Sequence, residues 1–249
     1  MNLAVIKPDW PAPEWVQAAS TCRSGGVSQG VYQAMNVGDH VGDDAEHVAT
    51  NRQRLVEALA LPSEPFWLNQ THSTDVVPVT SLSETPIEAD ASYSEQPSQV
   101  CAVMTADCLP VLFTDKKGQW VAAAHAGWRG LANGILLKTM DSYQGEKEDC
   151  LAWLGPAISS KAFEVGDDVK QAFCAQSSSF DRFFQARDKK GKYLADLYGI
   201  AREQLSALGV QIYGGDFCTY SDPEQFFSYR RDGVTGRMAS LIWLSSGAQ

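Results

Sequence analysis

Residues 103–130, VMTADCLPVLFTDKKGQWVAAAHAGWRG, constrain the fold of this chain more than any other stretch. Two apolar runs flank DKKG at 115–118, a segment typical of a β-hairpin turn. If the hairpin is centred on the two lysines of this turn, Cys108 lies directly opposite His125 with Cβ atoms about 5 Å apart. The sequence therefore predicts a thiol and an imidazole on one face of a hairpin.

A thiol and an imidazole at that distance permit three arrangements. The histidine can lower the pKa of the thiol and create a nucleophile. The two groups can instead share a metal ion, since thiolate and imidazole both suit zinc. The third arrangement is a buried cysteine that packs beside a hydrogen-bonded core histidine.

His72 favours the metal. The chain has only four histidines, and this one lies in the polar segment WLNQTHSTDV. Two imidazoles and one thiolate leave the fourth position of a tetrahedral zinc open, which is typical of catalytic and not of structural sites. We therefore predict zinc bound by His72, Cys108 and His125, with Cu²⁺ as a substitute because copper binds such ligands more tightly.

Composition limits the partners. The formal net charge is −10 and the calculated pI is about 4.8, so the surface repels nucleic-acid backbones and anionic membranes. No apolar run approaches the ~18 residues of a membrane span, and the N-terminus lacks the pattern of a signal peptide. We expect a cytoplasmic protein, a monomer or weak dimer, that acts on a small molecule and binds neither nucleic acid nor membrane.

Strand-like and helical patterns are interleaved, which favours an α+β fold over a regular parallel βαβ array. Helices are expected in HVGDDAEHVATNRQRLVEALAL with Asp43 as N-cap, and in three later segments, at 131–143, 167–176 and 193–208. Strands are expected at 66–68, 74–80, 100–104, 109–114, 119–125, 151–154, 210–213, 226–231 and 237–244, and a surface loop at 83–98.

Two arginines are candidates for binding an anion. Arg23 precedes Ser-Gly-Gly, where a planar guanidinium fork and flexible backbone can approach a phosphate or carboxylate; the alternative is a surface arginine in a turn. Arg129 lies at a predicted helix start, where a cation is unfavourable unless it is exposed or recruits an anion. Asn36 and Gln70 are further substrate-binding candidates, and the amide of Gln70 suits a base or amide edge.

Two more residues are candidates for proton transfer. His40 is a general acid or base near neutral pH, or else a loop histidine bonded to Asp39. Asp107, next to the predicted ligand Cys108, either orients a metal-bound histidine or accepts a proton. Arginines 230, 231 and 237 could line a pocket, but such residues are more often solvated, so no role is assigned to them.

Several motifs resemble one family over nearly the whole chain. NQTHSTDV, TADCLPVL and HAGWRG are similar to signatures of the laccase-domain or polyphenol-oxidase-like family, which includes the bacterial peptidoglycan editing factor. TCRSGGVSQGVYQAMNVGDHVGDD and CTYSDPEQFFSYRRDGVTGRMA are further matches. The resemblance implies one α+β domain, residues 1–249, with mixed sheets packed between helices as α-β-β-α layers, and zinc at the three residues named above.

The resemblance also implies a choice of activities. The first is purine-nucleoside chemistry, namely phosphorolysis of adenosine, inosine and methylthioadenosine, and deamination of adenosine. The second is a peptidoglycan-editing amide hydrolase that removes L-serine from misassembled UDP-MurNAc precursors. Copper-dependent oxidation of phenols is disfavoured, because a multicopper oxidase needs around ten histidines for its copper sites and this chain has four.

Overall fold

Strands and helices alternate irregularly in the computed structural model, which describes residues 3–79 and 87–245. The strands are β1 (Val5–Ile6), β2 (Val16–Thr21), β3 (Leu68–Asn69), β4 (Val76–Pro78), β5 (Ile87–Glu88), β6 (Ala91–Ser94), β7 (Val100–Thr105), β8 (Leu109–Asp115), β9 (Val121–Ala126), β10 (Cys150–Leu154), β11 (Glu164–Gly166), β12 (Phe184–Ala186), β13 (Lys192–Ala195), β14 (Gln211–Gly214) and β15 (Met238–Leu244). The α-helices are α1 (Ala45–Leu59), α2 (Trp128–Ala132), α3 (Ile135–Asp141), α4 (Asp167–Cys174), α5 (Leu197–Ser206) and α6 (Tyr229–Asp232).

Two sheets form the centre of the molecule. One has the strand order β1-β2-β15-β7, and the other has the order β14-β10-β8-β9-β6-β4. Apolar side chains of both, including Val103, Leu112 and Ile242, pack between them. Helix α1 covers the outer face of the four-stranded sheet through Leu55, and α3 and α5 cover the six-stranded sheet. This arrangement confirms the predicted α+β fold with α-β-β-α layers.

Strands β8 and β9 form the predicted hairpin with a different register. Pro110 pairs with His125, whereas the sequence placed Cys108 there. Cys108 instead directly precedes β8. A shift of two residues keeps side chains on the same face of a sheet, so Cys108 and His125 still point to the same side.

The hairpin loop is wider than the predicted two-residue turn. The Asp115 carboxylate accepts hydrogen bonds from the backbone N–H groups of Gln119 (2.7 Å) and Trp120 (3.0 Å). These bonds hold the residues after the turn out of the strand ladder, which resumes only at Val121. The register was therefore decided by a side chain that binds the loop backbone.

The N-cap of α1 is Asp44 and not the predicted Asp43. The Asp44 carboxylate accepts from the backbone N–H of Glu46, 2.8 Å away. Asp43 instead accepts hydrogen bonds from Ser28 and Asn36, which ties the preceding loop to the helix start.

Other predicted elements differ in kind. The helix expected at 131–143 is divided into α2 and α3 by Gly134, whose φ of 91° is not helical. The helix expected at 193–208 begins as strand β13, because that segment pairs with β11 and β12, and α5 starts only after its N-cap Asp196. The strand expected at 226–231 is wrong, since Ser228 caps the short helix α6 there.

The segment 83–98, expected to be a surface loop, contains β5 and the buried strand β6 in its described part. Its residues 83–86 lie outside the described residues, as does residue 80 of the strand predicted at 74–80. Within the described ranges, no helix is long and apolar enough to cross a membrane.

Candidate metal centre and cleft

Three side chains from separate parts of the chain meet at the end of the β8–β9 hairpin. His72 lies in the loop after β3, Cys108 precedes β8, and His125 belongs to β9. Their candidate ligand atoms all lie within 4.8 Å of one another. The two imidazole rings are 4.8 Å apart in an edge-to-face arrangement. The structure thus brings together the three residues that the sequence predicted as metal ligands.

The geometry and chemistry of this group fit a zinc ion. Ligand bonds of about 2.0–2.3 Å in a tetrahedral site place nitrogen and sulfur ligands roughly 3.5 Å apart. His72 Nε2 and Cys108 Sγ are 3.9 Å apart, and all three candidate ligand atoms lie within 4.8 Å of one another, so the side chains would have to close by up to about 1 Å around an ion. In the described part of the chain, no fourth histidine, cysteine or carboxylate joins the group. These three residues would leave a tetrahedral ion one coordination position for a substrate or water.

Asp90 fixes the orientation of His125. Its Oδ1 lies 2.7 Å from His125 Nδ1, and both side chains are buried. A carboxylate at Nδ1 keeps that nitrogen protonated and leaves Nε2 as the ligand atom. The backbone N–H of His125 also donates to the Asp90 carbonyl oxygen, at 2.7 Å.

The same carboxylate also holds the loop that carries His72. It accepts hydrogen bonds from the backbone N–H groups of Thr71, His72 and Ser73, the last at 2.6 Å, and from the Ser73 hydroxyl. Successive N–H groups converge on one anion because His72 adopts a left-handed conformation, with φ of 62°. One buried aspartate therefore positions both histidines.

Gly127 leaves the space that the ligands occupy. A Cβ atom at this position would lie 2.6 Å from His72 Cδ2 and 3.2 Å from Cys108 Sγ. Its backbone angles, φ −60° and ψ 155°, are accessible to any residue. Space, and not conformation, is the reason for a glycine here.

The Cys108 thiol and the His125 imidazole favour each other's charged forms. Burial raises the pKa of the Cys108 thiol, but His125, and to a lesser extent His72, outweigh this effect and lower it to about 6. Burial lowers the pKa of His125, but the Cys108 thiolate and Asp90 outweigh this effect and raise it to about 9. A thiolate is thus available at neutral pH, either as a metal ligand or as a nucleophile.

These ligands line a cleft of about 750 Å³, within the size range of small-molecule sites. Charged side chains of both signs also line it: the cations Arg129, Lys192, Arg230 and Arg237, and the carboxylates Asp107, Glu164 and Asp168. The cations exceed the carboxylates by only one, so any affinity for an anionic ligand would come from direct hydrogen bonds of the arginine side chains.

An apolar wall forms another part of the cleft. It consists of Trp128, Ile158, Phe163, Val165 and Val169. Two of these residues carry aromatic rings, and such a surface suits a flat, partly apolar ligand group. The cleft therefore combines a candidate metal centre, a charged lining and a surface for a planar ring.

Comparison with known proteins assigns the chain to a family. Residues 17–245 match the family described as "Multi-copper polyphenol oxidoreductase laccase". The chain belongs to this family. Its relatives include the Escherichia coli K12 protein named "Purine nucleoside phosphorylase YfiH", 54% identical over 96% of this chain and 98% of the relative. A Haemophilus influenzae protein named "Purine nucleoside phosphorylase" is 51% identical over 97% and 99%.

Solved structures of the laccase-like family share the fold. A Neisseria meningitidis protein is 51% identical, with a TM-score of 0.93 over 97% of this chain and 99% of its own. The Bacillus licheniformis protein YfiH is 33% identical, with a TM-score of 0.88 over 95% and 98%. The family's copper-oxidase name contrasts with the centre described above, which has two histidines and one cysteine.

Four other residues predicted as site residues line the cleft of this laccase-like protein: His40, Gln70, Asp107 and Arg129. The side chain of Gln70 is occupied, since its amide bonds to both the N–H and the C=O of Met104, at 2.7 and 2.8 Å. The Arg129 guanidinium stacks on the Trp128 ring, 4.4 Å from its centroid. No hydrogen bond joins it to the described part of the chain, so it is available to a ligand.

Asp107 has different partners from those expected. Its carboxylate accepts hydrogen bonds from the Thr219 hydroxyl and from the backbone N–H of Arg230, both at 2.6 Å. The carboxylate that orients a candidate ligand histidine is Asp90. The expectation that Asp107 does so is therefore corrected, because its oxygens are bound elsewhere.

The structure does not bring Arg23 and Asn36 to the cleft. The Arg23 guanidinium donates to the carbonyl oxygens of Gln33 and Pro223 and stacks over Phe227. Asn36 is fully buried, and its amide bonds to the Gly38 backbone and to Asp43. Both side chains hold loops together, and these contacts give no support to substrate binding.

Sequence reasoning missed Asp90 and three of the cations. Asp90 lies within the segment expected to be a loop, between the strands β5 and β6; an acidic residue between alanines in EADAS was the only local signal. Arg230 and Arg237 were considered and left without a role, and Lys192 was assigned to no site. These three cations come together through the paths of loops, which the sequence pattern did not predict.

Proposed function

We propose that this chain, as a single domain of residues 1–249, is a zinc-dependent purine nucleoside phosphorylase. The observation that carries the proposal is the convergence of His72, Cys108 and His125 in a cleft with four cationic side chains. Phosphorolysis requires a phosphate beside C1′ of a nucleoside whose base can leave. The names of the relatives agree with this activity.

The cations of the cleft are the proposed phosphate site. Arg129 is available, whereas Arg230 donates to the Glu164 carbonyl and Arg237 to the carbonyls of Thr235 and Gly236. Arginine and lysine bind phosphate through charge-assisted hydrogen bonds, so these side chains would hold the nucleophile and balance its charge. A bound zinc would supply a Lewis acid and would lower the pKa of a coordinated water.

The apolar wall is the proposed site for the purine ring. Trp128 and Phe163 offer aromatic surface, and Ile158 and Val169 extend it. His40 lies at the same cleft, and burial together with the nearby Arg237 lowers its pKa below the usual value, although its ring Nδ1 faces the Asp39 carboxylate, which acts in the opposite direction. A lowered pKa favours the neutral imidazole, which is the form that can accept a proton.

A phosphate-dependent assay tests this function. Zinc-loaded protein is given inosine, adenosine or methylthioadenosine with and without inorganic phosphate, and release of the free base and of the sugar phosphate is measured. Arg129→Met should raise the KM for phosphate about tenfold, the scale of one lost charge-assisted hydrogen bond. Arg182→Met is the control, because Arg182 is exposed and neither it nor its ion-pair partner Glu203 lines the cleft. A rate of base release that does not depend on the phosphate concentration would refute the proposal.

The cleft also favours hydrolytic activities as a second proposal. Its volume of about 750 Å³ and its four cations would accommodate a substrate larger than a nucleoside, such as a UDP-linked muramyl precursor. The same centre would then remove L-serine by amide hydrolysis, or deaminate adenosine. One zinc-loaded sample assayed for adenosine deamination and for serine release from a serine-containing muramyl nucleotide distinguishes these activities from phosphorolysis.

Metal analysis tests the identity of the ion. We expect close to one zinc per chain in the wild type, and a large loss in Cys108→Ala. Copper reconstituted at the same residues would show the thiolate-to-copper absorption that zinc lacks. Equal metal content in the wild type and the variant would rule out Cys108 as a ligand.

A further inference from the structure

Asp107 occupies an unusual position beside the candidate metal centre. It precedes Cys108, is only 8% exposed, and has a φ of 94°, which side chains rarely adopt. Its backbone carbonyl accepts from the N–H of Ile158, at 3.0 Å. The residue is therefore fixed on its backbone side, while its carboxylate points to a different part of the chain.

That carboxylate anchors the segment that carries helix α6. It accepts from the Thr219 hydroxyl and the Arg230 N–H, both at 2.6 Å. The second bond satisfies an N–H at the start of α6 that has no partner within the helix. The carboxylate thus connects the loop of Cys108 to the helix of Tyr229 and Arg230.

Helix α6 presents two residues to the cleft. Tyr229 and Arg230 both line it. The Arg230 guanidinium donates to the Glu164 carbonyl at 2.7 Å and lies 5.2 Å from the centre of the Phe163 ring. Its side chain therefore reaches from α6 to β11 on another wall of the cleft, where it can exchange the carbonyl for an anionic group of a substrate.

We infer that Asp107 is a positioning residue: its carboxylate holds α6 in place so that the Arg230 side chain faces the cleft and binds the anionic part of the substrate. The nature of that substrate rests on the proposed function, whereas the positioning of α6 by Asp107 is argued from the contacts of Asp107 alone. It assigns Asp107 to the binding of phosphate and not to proton transfer. The carboxylate contributes as a pair of acceptors, and its ability to take up a proton is not used.

Two substitutions separate these roles because both tolerate the positive φ. Asp107→Asn keeps an acceptor for the Arg230 N–H, and its amide can donate to the Thr219 hydroxyl, which accepts as readily as it donates. Asp107→Gly removes both contacts without backbone strain. A proton acceptor would be lost in both variants, whereas a positioning residue is replaced in the first and lost in the second.

We expect Asp107→Gly to raise the KM for inorganic phosphate about tenfold, which is the scale of one weakened charged contact. The KM of Asp107→Asn should stay near the wild-type value. The zinc content should be unchanged in both. Arg230→Met should raise the KM by the same factor, and its combination with Asp107→Gly should add little, since both act through one contact. An impaired Asp107→Asn, a wild-type KM in Asp107→Gly, or additive effects would overturn the inference.

Hydrogen exchange of residues 226–233 gives a readout that does not depend on the reaction. We expect faster exchange in Asp107→Gly and wild-type exchange in Asp107→Asn, because only the first loses the anchor of α6. If the protein shows no phosphorolysis but the exchange follows this pattern, the proposed function fails and the positioning role stands. If Asp107→Gly does not fold, the other two variants still test the inference. It is supported if Asp107→Asn keeps the wild-type KM and exchange while Arg230→Met has a raised KM. It is refuted if Asp107→Asn is impaired.

Discussion

Asp90→Asn is expected to weaken zinc binding without any loss of a metal ligand. The substitution keeps the size of the side chain and replaces one acceptor oxygen by a donor NH₂. If that NH₂ faces His125, it donates to Nδ1 and places the imidazole proton on Nε2, the nitrogen needed by the metal. If it faces the other way, it opposes the N–H groups of Thr71 and Ser73 and releases the loop of His72.

The structure sets the size of both effects. Replacement of a carboxylate that orients a metal-bound histidine costs about 10- to 100-fold in metal affinity, or roughly 1.4–2.8 kcal/mol. The N–H groups of Thr71 and Ser73 would lose their acceptor, and since both bonds are only partly buried each loss costs about 1–2 kcal/mol. Asp90 is fully buried, so we expect the free energy of unfolding of the metal-free protein to fall by about 2–4 kcal/mol.

The assay is a competition for zinc against a chromophoric chelator, with chemical denaturation of the metal-free protein in parallel. Asp115→Asn is the matched control. Asp115 is also a buried carboxylate that accepts two backbone N–H bonds, but it is the last residue of β8, at the end of the hairpin away from the candidate metal centre. This control should lose stability and keep its zinc affinity. Equal zinc affinity in the wild type and Asp90→Asn would refute the role assigned to Asp90.

Three other outcomes are expected. Gly127→Ala should lower zinc affinity at least about tenfold, because the new Cβ would lie 2.6 Å from His72 Cδ2; unchanged affinity in the same competition assay would show that the loop moves aside freely. In metal-free protein, alkylation of Cys108 by iodoacetamide should be fast at pH 7 and should slow as the pH falls through about 6, because the reactive thiolate predominates only above the lowered pKa. Bound zinc should protect the thiolate from alkylation. Rapid alkylation of the zinc-loaded protein, measured by mass spectrometry, would favour a free nucleophile. Arg23→Lys should lower the melting temperature and leave the KM for phosphate unchanged, because its guanidinium binds backbone carbonyls outside the cleft; a raised KM with unchanged stability would return it to the role of an anion clamp.

The sequence predicted the strands of the central sheets best where local pattern and tertiary contacts agree. The buried strands β7, β8, β10 and β15 are continuous apolar runs, and burial on both faces produces that pattern. Strand β6 did not show the pattern, because ASYS is small and polar although it is a buried member of the six-stranded sheet. The segment of strand β13 shows a helical periodicity and was predicted as the start of a helix, but it forms a strand because β11 and β12 pair with it.

The site shows a similar division. The convergence of His72, Cys108 and His125 could be predicted because few residue types bind zinc and the chain has four histidines. The error in the hairpin register was harmless, since a shift of two residues preserved the face on which Cys108 and His125 lie. The sequence did not show that Arg23 and Asn36 lie away from the cleft, because an arginine or amide beside glycines binds a backbone carbonyl as readily as a ligand.

The remaining difficulty is that the groups which tune a centre are distant in sequence and bind through the backbone. Asp90 and Asp107 are both aspartates beside alanine, and each accepts backbone N–H bonds from another loop. Asp90 positions the histidines, whereas Asp107 binds the segment that carries Arg230. The difference arises from which loop reaches each carboxylate, a tertiary property with no local signature. Substitution at either position should therefore separate metal binding, which depends on Asp90, from anion binding, which depends on Asp107.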